Sequence, residues 1–575
     1  MNNQEIAQMF ENIADLLAIK GENFRRVLAY RRAAESIQGL SRDLSAIAAD
    51  GAVTDISGIG KTLAEKIDEM LATGGLEFYT RLTSEVPESL LDVLKIEGVG
   101  PKKGKLFYDE LQITTLDALK EAAEAGKLRV LAGMGQKSEA KIIAGLERLE
   151  KLQTGRTPLG VALPIAQTIL ADLAALPGVT QAAVGGSLRR MRETIGDIDL
   201  LVAADDADAI MNHYVNMQIV EAVDGRGPTK ARVILRGTGL GADLRVLPAA
   251  HWGTLLSYFT GSQAHNLRLR EMAQQQGLSL NEYSFTREDG SEIICATEEE
   301  VYQTLGLPYI PPVLREDRGE IEAAKAGKLP ELIKASDIIA DLHMHSTWSD
   351  GKASILEMAR AAQADGMQYV AITDHSASLG IANGLTTERL LAQRAEVLAA
   401  DEAMGPNFRV LHGTEMEIRA DGSLDYPDEV LQGLDFVIAS LHVSLRQSRK
   451  QATERILNAI DNPHVDMIAH PTGRLLPDRE GADLDMDQIM IAASRTGTIL
   501  EINANPQRLD LRDTYVRRAM DLGVKLALNT DAHAVNHFGL RSYGVATAQR
   551  GWATAERVVN TWPIDRFLEY VRRKD

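Results

Sequence analysis

The chain has 575 residues, a formal net charge of −19, 45% hydrophobic and 25% charged residues, and one cysteine, Cys295. This length predicts about three to five domains, each able to bury its own core. A single cysteine excludes an internal disulfide and favours a reducing compartment, and the acidic balance argues against a simple basic nucleic-acid binder.

The first 155 residues are predicted to be helical and contain one motif three times. The motif is a glycine, an apolar residue and a second glycine, followed by a helix-compatible run. Its residues are Gly58 and Gly60, Gly98 and Gly100 with Lys102 close behind, and Gly133 and Gly135. Glycines let the backbone approach a phosphate, and the N–H groups at a helix start bind it without reading sequence. We therefore expect three helix-hairpin-helix motifs that bind DNA largely through amides.

The pattern of residues 182–201 predicts a strand, a glycine turn, a short helix and a second strand. Asp197 and Asp199 are two residues apart on the second strand, so they point to the same face. Asp243, on a later predicted strand, is the third candidate carboxylate. Three carboxylates can hold two cations for phosphoryl transfer, and the turn at Gly186 and Ser187 exposes N–H groups for a triphosphate. The pattern predicts a nucleotidyltransferase palm rather than an acidic surface turn.

Residues 1–318 resemble a family X DNA polymerase, the family of DNA polymerase beta. Six stretches match. They are Ala-Glu-Lys-Ile-Asp-Glu at 64–69, Gly-Ser-x-Arg-Arg at 186–190, Gly-Asp-x-Asp at 196–199, Asp-Leu-Arg at 243–245, Tyr-Phe-Thr-Gly-Ser at 258–262 and Leu-Asn-Glu-Tyr at 280–283. The resemblance implies that Asp197, Asp199 and Asp243 are catalytic and hold two Mg²⁺ or Mn²⁺ ions. It further implies a nucleotide-binding set that begins with Gly186. In this set Ser187 and Arg190 bind the triphosphate, and Tyr258, Phe259 and Gly261 line the sugar pocket. Asn266 and Arg270 contact the incoming nucleotide and the template-side minor groove.

The same resemblance concerns the first helical domain. Lys66 matches the Schiff-base lysine of the family's 5′-deoxyribose-phosphate lyase, and Arg26 and Tyr30 match its 5′-phosphate pocket. Thr62 stands where the family has a phosphate-binding lysine. Because a Schiff base needs a neutral amine, binding of a 5′-phosphate is favoured over lyase chemistry, which stays open.

The C-terminal third is rich in histidine, with nine of the 12 histidines beyond residue 340. These histidines and several carboxylates follow short apolar runs that alternate with helix-like segments. Such alternation predicts a (β/α) barrel with its chemistry at one end. Imidazole and carboxylate ligands suit Zn²⁺, Mn²⁺ or Fe²⁺, and the lack of cysteine ligands favours a catalytic site over a structural one.

This segment resembles a polymerase-and-histidinol-phosphatase (PHP) domain, a distorted (β/α)7 barrel that binds up to three Mn²⁺, Zn²⁺ or Fe ions. The implied metal ligands are His343, His345, Asp350, His375, Glu415, His442, His470, Asp531 and His533. His412, His464 and His537 match no ligand position. The resemblance implies a 3′–5′ exonuclease, or an abasic-site or 3′-end-processing activity.

The predicted fold class is multidomain α+β and α/β, with helix-hairpin-helix domains, a palm with a mixed sheet and the barrel. A strand is predicted over 278–283. The predicted domains are lyase-like 1–85, fingers-type 86–155, palm 156–250, nucleotide-selecting 251–318, linker 319–337 and PHP 338–575.

We expect a cytoplasmic, monomeric DNA-directed DNA polymerase that fills short repair gaps and carries a C-terminal nuclease. Its expected partners are gapped or primer–template DNA and dNTPs, and no membrane. The alternatives are a nucleotidyltransferase for RNA ends or small molecules, and a non-catalytic DNA scaffold. For the barrel alone they are a phosphomonoesterase or a structural role.

Overall fold

The computed structural model describes residues 1–575 except 2, 39, 41, 95, 97–98, 152–155, 478 and 573–575. A helical N-terminal region is followed by a middle region built on a mixed sheet and by a C-terminal parallel barrel. The predicted multidomain fold class is therefore confirmed.

The N-terminal region packs its helices around one continuous core. The helices are α1 (Asn3–Lys20), α2 (Phe24–Gln38), α3 (Leu44–Ala49), α4 (Lys61–Thr73), α5 (Glu77–Glu85), α6 (Leu90–Leu94), α7 (Pro101–Leu111), α8 (Leu116–Glu124) and α9 (Gln136–Lys151). Helical spacing explains α4, which buries Leu63, Ile67 and Met70 on one face. The buried cluster extends from Ile6 to Leu146, so helices of both predicted N-terminal domains share one core.

The first half of the middle region contains a five-stranded sheet with helices on both faces and a separate antiparallel pair of short strands, β1 and β3. Its elements are β1 (Thr157–Pro158), α10 (Leu159–Ala174), β2 (Gln181–Val184), α11 (Gly186–Arg189), β3 (Thr194–Ile195), β4 (Asp197–Ala203), α12 (Ala207–Val215), β5 (Val220–Arg226), β6 (Lys230–Leu235) and β7 (Gly241–Leu247). The sheet order is β2–β4–β7–β6–β5, with β4 and β7 parallel and the other neighbours antiparallel. Ile198, Leu200 and Val202 of β4 are buried in the core that includes α10. The alternate residues Leu201 and Ala203 pack against the helix that follows β7.

The second half of the middle region is a small mixed subdomain. Its elements are α13 (Trp252–Thr260), α14 (Gln263–Gln275), β8 (Leu278–Leu280), β9 (Phe285–Arg287), β10 (Glu292–Ile293), α15 (Glu298–Thr304) and α16 (Glu320–Lys325). The strand predicted over 278–283 ends at Leu280. The side chain of Asn281 accepts hydrogen bonds from the N–H groups of Tyr283 and Ser284, and this turn stops the strand.

The segment predicted to be a linker is packed on both sides. Ile321 and Ala324 of α16 lie in the core of the small subdomain. Ile333 lies in the core of the barrel. Burial on both sides ties the small subdomain to the barrel.

The C-terminal region is a parallel barrel of seven strands in chain order. Its strands are β11 (Ala340–Met344), β12 (Tyr369–Ile372), β13 (Arg409–Glu417), β14 (Phe436–Ser440), β15 (Met467–Ile468), β16 (Ile499–Asn503) and β17 (Leu526–Asn529). Its helices are α17 (Ile355–Ala364), α18 (Thr387–Met404), α19 (Asp428–Leu431), α20 (Arg449–Asp461), α21 (Met486–Thr496), α22 (Asp513–Leu522), α23 (Arg541–Arg550) and α24 (Ile564–Val571). A bridge between Met344 and Ala532 nearly closes the ring between its first and last strands. The predicted distorted (β/α)7 barrel is confirmed.

The barrel packs against the palm and the N-terminal helices. Barrel residue Leu509 is buried in the core of the palm. Arg474 of the barrel pairs with Glu193 of the palm at 2.9 Å. Arg449 of α20 pairs with Asp43, next to α3, at 2.6 Å. The barrel therefore folds back on the rest of the chain.

None of the helices in the described part of the chain combines the length and apolar character that a bilayer crossing requires.

Candidate metal centres and nucleotide pocket

The three predicted palm carboxylates lie side by side on two parallel strands. Asp199 of β4 is in register with Asp243 of β7, and Asp197 lies on the same side of β4. A side chain at Gly186 would collide with the carboxylate of Asp199. Glycine there therefore lets the helix start approach the acidic cluster.

The negative charge of the three carboxylates is only partly balanced by a neighbouring cationic side chain, that of Arg232. Burial, together with the charges of Asp197 and Asp243, raises the pKa of Asp199 to about 7. Arg232 of β6 bonds to Asp243 and lies 3.4 Å from Asp197. A raised pKa within a carboxylate cluster fits a site for divalent cations, which would stabilise the ionised form.

A pocket beside the carboxylates brings the predicted triphosphate ligands together. Ser187 and Arg190 line it with Asp197. The Arg190 guanidinium donates to the carbonyl of Thr260 at 2.5 Å and pairs with Glu316 at 3.0 Å. Glu35 and Gln38 of α2 line the same pocket, as do Arg192 and Arg318. The predicted phosphate-binding arginine is thus held in place by an ion pair.

The residues predicted for the sugar pocket and for the other nucleotide contacts lie on α13, on α14 and in the turn between them. Tyr258, Asn266 and Arg270 line one small cavity, and the Asn266 amide donates to the carbonyl of Tyr258 at 2.6 Å. Phe259 instead lies under the guanidinium of Arg245, 4.3 Å from its ring centroid. Gly261 has φ +68° and lies against Arg190, which leaves little room for a side chain.

The glycine motifs lie at the starts of helices, as predicted. Gly58 has φ +80° and Gly60 caps α4. Gly133 has φ +75° and precedes Gly135, just before α9. Gly98 lies outside the described residues, but Gly100 caps α7 and Lys102 is exposed in its first turn. Free N–H groups are therefore available at three helix starts.

The predicted lyase residues surround the ring of Phe78. Lys66 is half-buried, with its Nζ 4.3 Å from the ring centroid, and burial lowers its pKa. Arg26 approaches the same ring at 5.3 Å. Tyr30 is buried and stacks parallel to Phe78. Tyr30 therefore contributes mainly to the core, whereas Lys66 and Arg26 remain partly accessible.

All nine predicted barrel ligands converge at the carboxyl ends of the strands. They form four overlapping groups whose ligand atoms lie within 4.8 Å of one another in each group. The groups are His345, Asp350, His375 and His533; His343, His345 and Glu415; His343, His470 and Asp531; and His375, Glu415 and His442.

Glu415 lies at the middle of this cluster. It is buried, 2.8 Å from His375 Nδ1 and 2.9 Å from His470 Nε2. Neither of its carboxylate oxygens has a hydrogen-bond donor of good geometry among the described residues. Buried carboxylate oxygens without donors fit a set of metal ligands.

The imidazoles of the cluster have opposed electrostatic environments. Burial and the neighbouring His375 and His533 lower the pKa of His345 to about 3. Burial disfavours protonated His533, but its bond to Asp350 and the charge of Asp531 raise its pKa to about 9. A transition metal binds neutral imidazole, so His345 is already in the binding state near neutral pH, whereas binding at His533 releases a proton.

Sequence reasoning missed the residues that support both centres. Glu501 of β16 accepts a hydrogen bond from the backbone N–H of His470 and contacts His343 Nδ1 at 2.7 Å. Arg508 lies 3.6 Å from Asp531. Arg232 is in register with Asp243 on the neighbouring strand. A charged residue inside an apolar strand, as at Glu501, was the available signal.

Comparisons with known proteins agree with this architecture. Family models match four stretches of the chain: a helix-hairpin-helix domain at 1–76, a SAM-like helix-hairpin-helix tandem at 90–148, a DNA polymerase beta thumb at 255–316 and a PHP domain at 341–504. The matched domains define a DNA-binding protein that uses divalent metals.

Three relatives cover different parts of the chain. The DNA polymerase/3′-5′ exonuclease PolX of Bacillus subtilis is 41% identical over 577 residues, covering 100% of both chains. DNA polymerase lambda of Rattus norvegicus is 25% identical over 344 residues, 55% of this chain and 56% of that one. A probable phosphatase of Thermoanaerobacter is 32% identical over 250 residues, 41% of this chain and 96% of that one. The chain belongs to the family X DNA polymerases that carry a C-terminal PHP domain.

Proposed function

We propose that this protein is a DNA-directed DNA polymerase that fills short gaps during repair and whose barrel is a 3′–5′ exonuclease. The observation that carries the proposal is the carboxylate row of Asp197, Asp199 and Asp243 beside a pocket lined by Ser187 and Arg190. The full-length similarity to a protein named for both activities supports it.

In the palm, the chain positions the triphosphate against the carboxylates. Ser187 at the start of α11 offers a hydroxyl, and Arg190 offers a fixed guanidinium to the phosphate oxygens. Asp197, Asp199 and Asp243 would hold two Mg²⁺ or Mn²⁺ ions. Such ions supply charge that activates the primer 3′-hydroxyl and stabilises the departing pyrophosphate. Tyr258, Asn266 and Arg270 are proposed to contact the sugar and base of the nucleotide.

In the barrel, the nine ligands are proposed to hold up to three Mn²⁺, Zn²⁺ or Fe ions. Bound ions supply the Lewis acidity that lowers the pKa of water for phosphodiester hydrolysis. The protein contributes orientation, because Glu501 contacts Nδ1 of His343 and the backbone carbonyl of Asp531 lies 2.9 Å from Nδ1 of His533. A 3′-terminal phosphodiester is the proposed substrate.

The proposed partners are gapped DNA and dNTPs, bound by a monomer. The helix starts at Gly60, Gly100 and Gly135 would bind backbone phosphates through amides. Lys66 and Arg26 would meet the 5′-phosphate of a gap, with the lowered pKa of Lys66 leaving lyase chemistry open to test.

The test uses a 5′-labelled primer in a one-nucleotide gap with Mn²⁺, with and without dNTPs. The wild-type chain is compared with Asp199→Asn and His343→Ala. We expect dNTPs to lengthen the primer and their omission to shorten it. Asp199→Asn should lose only extension, and His343→Ala only shortening.

A 3′-labelled oligonucleotide and a small phosphomonoester are run in parallel. Hydrolysis of the phosphomonoester alone would reject the exonuclease and favour the phosphatase alternative. Template-independent addition would reject the gap-filling polymerase.

A further inference from the structure

The nucleotide pocket of the palm is held from behind by a side chain of the barrel. Arg550, the last residue of α23, is 4% exposed at its side chain. Its Nη1 lies 2.9 Å from Glu316 Oε1 and donates to the backbone carbonyl of Arg190 at 2.6 Å. Glu316 is the ion-pair partner of the Arg190 guanidinium. One barrel residue therefore contacts both the backbone of Arg190 and the partner of its side chain.

A second path joins the same residue to the pocket wall. Arg550 Nη2 lies 2.7 Å from Asp513 of α22. Asp513 also pairs with Arg318 at 3.0 Å, and Arg318 lines the pocket. Two pocket arginines are thus positioned through carboxylates that Arg550 shares.

Charge balance explains why this cation matters. Burial favours neutral Glu316, but Arg550, Arg190 and Arg192 hold its pKa far below the usual range. Without Arg550, the negative charge of Glu316 beside the pocket is balanced mainly by Arg190 and Arg192. A nucleoside triphosphate carries several negative charges, so the pocket would repel it more strongly.

We propose that Arg550 of the barrel is a positioning residue for nucleotide binding in the palm, acting through Glu316 on Arg190. Arg550 is not among the residues that line the pocket. The barrel is then part of the polymerase pocket as well as the site of a second activity. This inference rests on the proposed polymerase function.

The test is single-nucleotide insertion into gapped DNA by full-length variants, with KM for the dNTP and kcat measured separately. Arg550→Met should raise KM at least tenfold and change kcat at saturating dNTP by less than about threefold, because uniform binding is lost. Arg550→Lys should recover part of the loss. Glu316→Gln alone should also raise KM, because Arg190 loses its ion-pair partner. Combined with Arg550→Met it should raise KM by less than the product of the two single effects, because both changes act through the same ion pair.

Arg541→Met is the matched control, since Arg541 begins the same helix and pairs with Asp365 inside the barrel at 3.1 Å. It should leave KM unchanged. The inference is overturned if Arg550→Met leaves KM unchanged, if Arg541→Met raises it equally, or if kcat and the melting temperature fall together without a KM effect. A wild-type chain that does not extend the primer rejects the proposed function and this inference together. Extension with an unaltered KM in Arg550→Met rejects the inference alone.

Discussion

Asp199 combines burial with two neighbouring negative charges. Its pKa of about 7 exceeds the ordinary value of 3.8. The folded protein therefore binds this proton more tightly than the unfolded chain does. Linkage requires that the contribution of Asp199 to the stability of the metal-free protein fall as pH rises through the window from about 4 to about 7.

Asp199→Asn should reduce the loss of stability that accompanies the rise in pH. At pH 8 without metal, we expect the variant to be more stable than the wild type by roughly 1–2 kcal/mol, because a repelled charge is gone. It should also lose primer extension. Melting temperatures between pH 5 and pH 8 in chelator measure the effect.

The matched control is Asp205→Asn, a change of the same kind at an exposed position beyond the end of β4. It should keep the wild-type pH dependence. Parallel pH curves for Asp199→Asn and the wild type would contradict the assignment of the raised pKa.

Glu501 holds two barrel ligands without being a ligand itself. It orients the ring of His343 and receives the backbone N–H of His470. Glu501→Gln should weaken metal binding about 10–100-fold, the usual effect of removing such support. Metal content after dialysis against a chelator series measures it.

Glu454→Gln, at an exposed position of α20 paired with Lys450, should retain wild-type metal content. Primer extension should survive both changes. Equal metal retention by Glu501→Gln and the wild type would show that His343 needs no such support.

The sequence predicts ligands far better than it predicts their supporting residues. Asp197 and Asp199 are recognisable because they are close together along the chain and follow a glycine turn. Glu316 and Arg550 are single charges separated by more than two hundred residues, and any of many partners would be possible. Long-range pairing depends on how the domains pack, which local periodicity does not encode.

At the level of elements, the helix starts in the N-terminal region explain how an acidic protein can bind DNA. The backbone amides at the starts of α4, α7 and α9 carry only partial positive charges. The formal net charge of the chain does not include them. Lys102 is an exposed cation at one of these starts. Few cations should then be released from DNA for each complex formed.

Lys102→Ala should reduce the slope of log affinity against log salt by about 0.9, the value for one phosphate contact. Lys105→Ala, on the same helix but paired with Asp109 at 3.1 Å, should leave the slope nearly unchanged. Fluorescence anisotropy of gapped DNA at several salt concentrations measures both. An unchanged slope for Lys102→Ala would remove this residue from the DNA contact.

Element boundaries were predicted where a local signal fixes them. Alternating apolar runs and polar strand ends predicted a (β/α) barrel, and the resemblance to a PHP domain implied its seven strands. The strand Ile499–Asn503 was not among the predicted apolar runs. The linker predicted over 319–337 contains the helix α16, and its residues Ile321 and Ile333 are buried in two different cores. Most residues of this segment are charged or small, and the apolar face of α16 consists only of Ile321 and Ala324.

At the scale of the whole molecule, the palm and barrel share an interface built on buried charge. Arg474 pairs with Glu193 and donates to the backbone carbonyl of Arg508 at 2.8 Å. Burial opposes ionisation of Glu193, but Arg474 and Arg512 lower its pKa to about 2. This contribution to stability is complete above pH 4.5 and is lost as pH falls toward 2.

Arg474→Met should therefore destabilise the protein at pH 7 by roughly 1–3 kcal/mol, a range that allows for the partial exposure of Glu193. The difference from wild type should shrink below pH 4.5. Urea unfolding midpoints at pH 7 and pH 4 measure both effects. Arg495→Met, an exposed arginine paired with Asp461, should shift neither midpoint.

The ring of barrel ligands also bears on how the protein is made. His343 lies on the first strand of the barrel and His345 directly after it, whereas Asp531 and His533 follow the last strand. A ribosome delivers these residues in order, so the cluster cannot assemble until nearly the whole chain has emerged. The three palm carboxylates are all synthesised before the barrel begins. The nascent chain thus contains the complete set of palm carboxylates early in synthesis, and the complete set of barrel ligands only near its end.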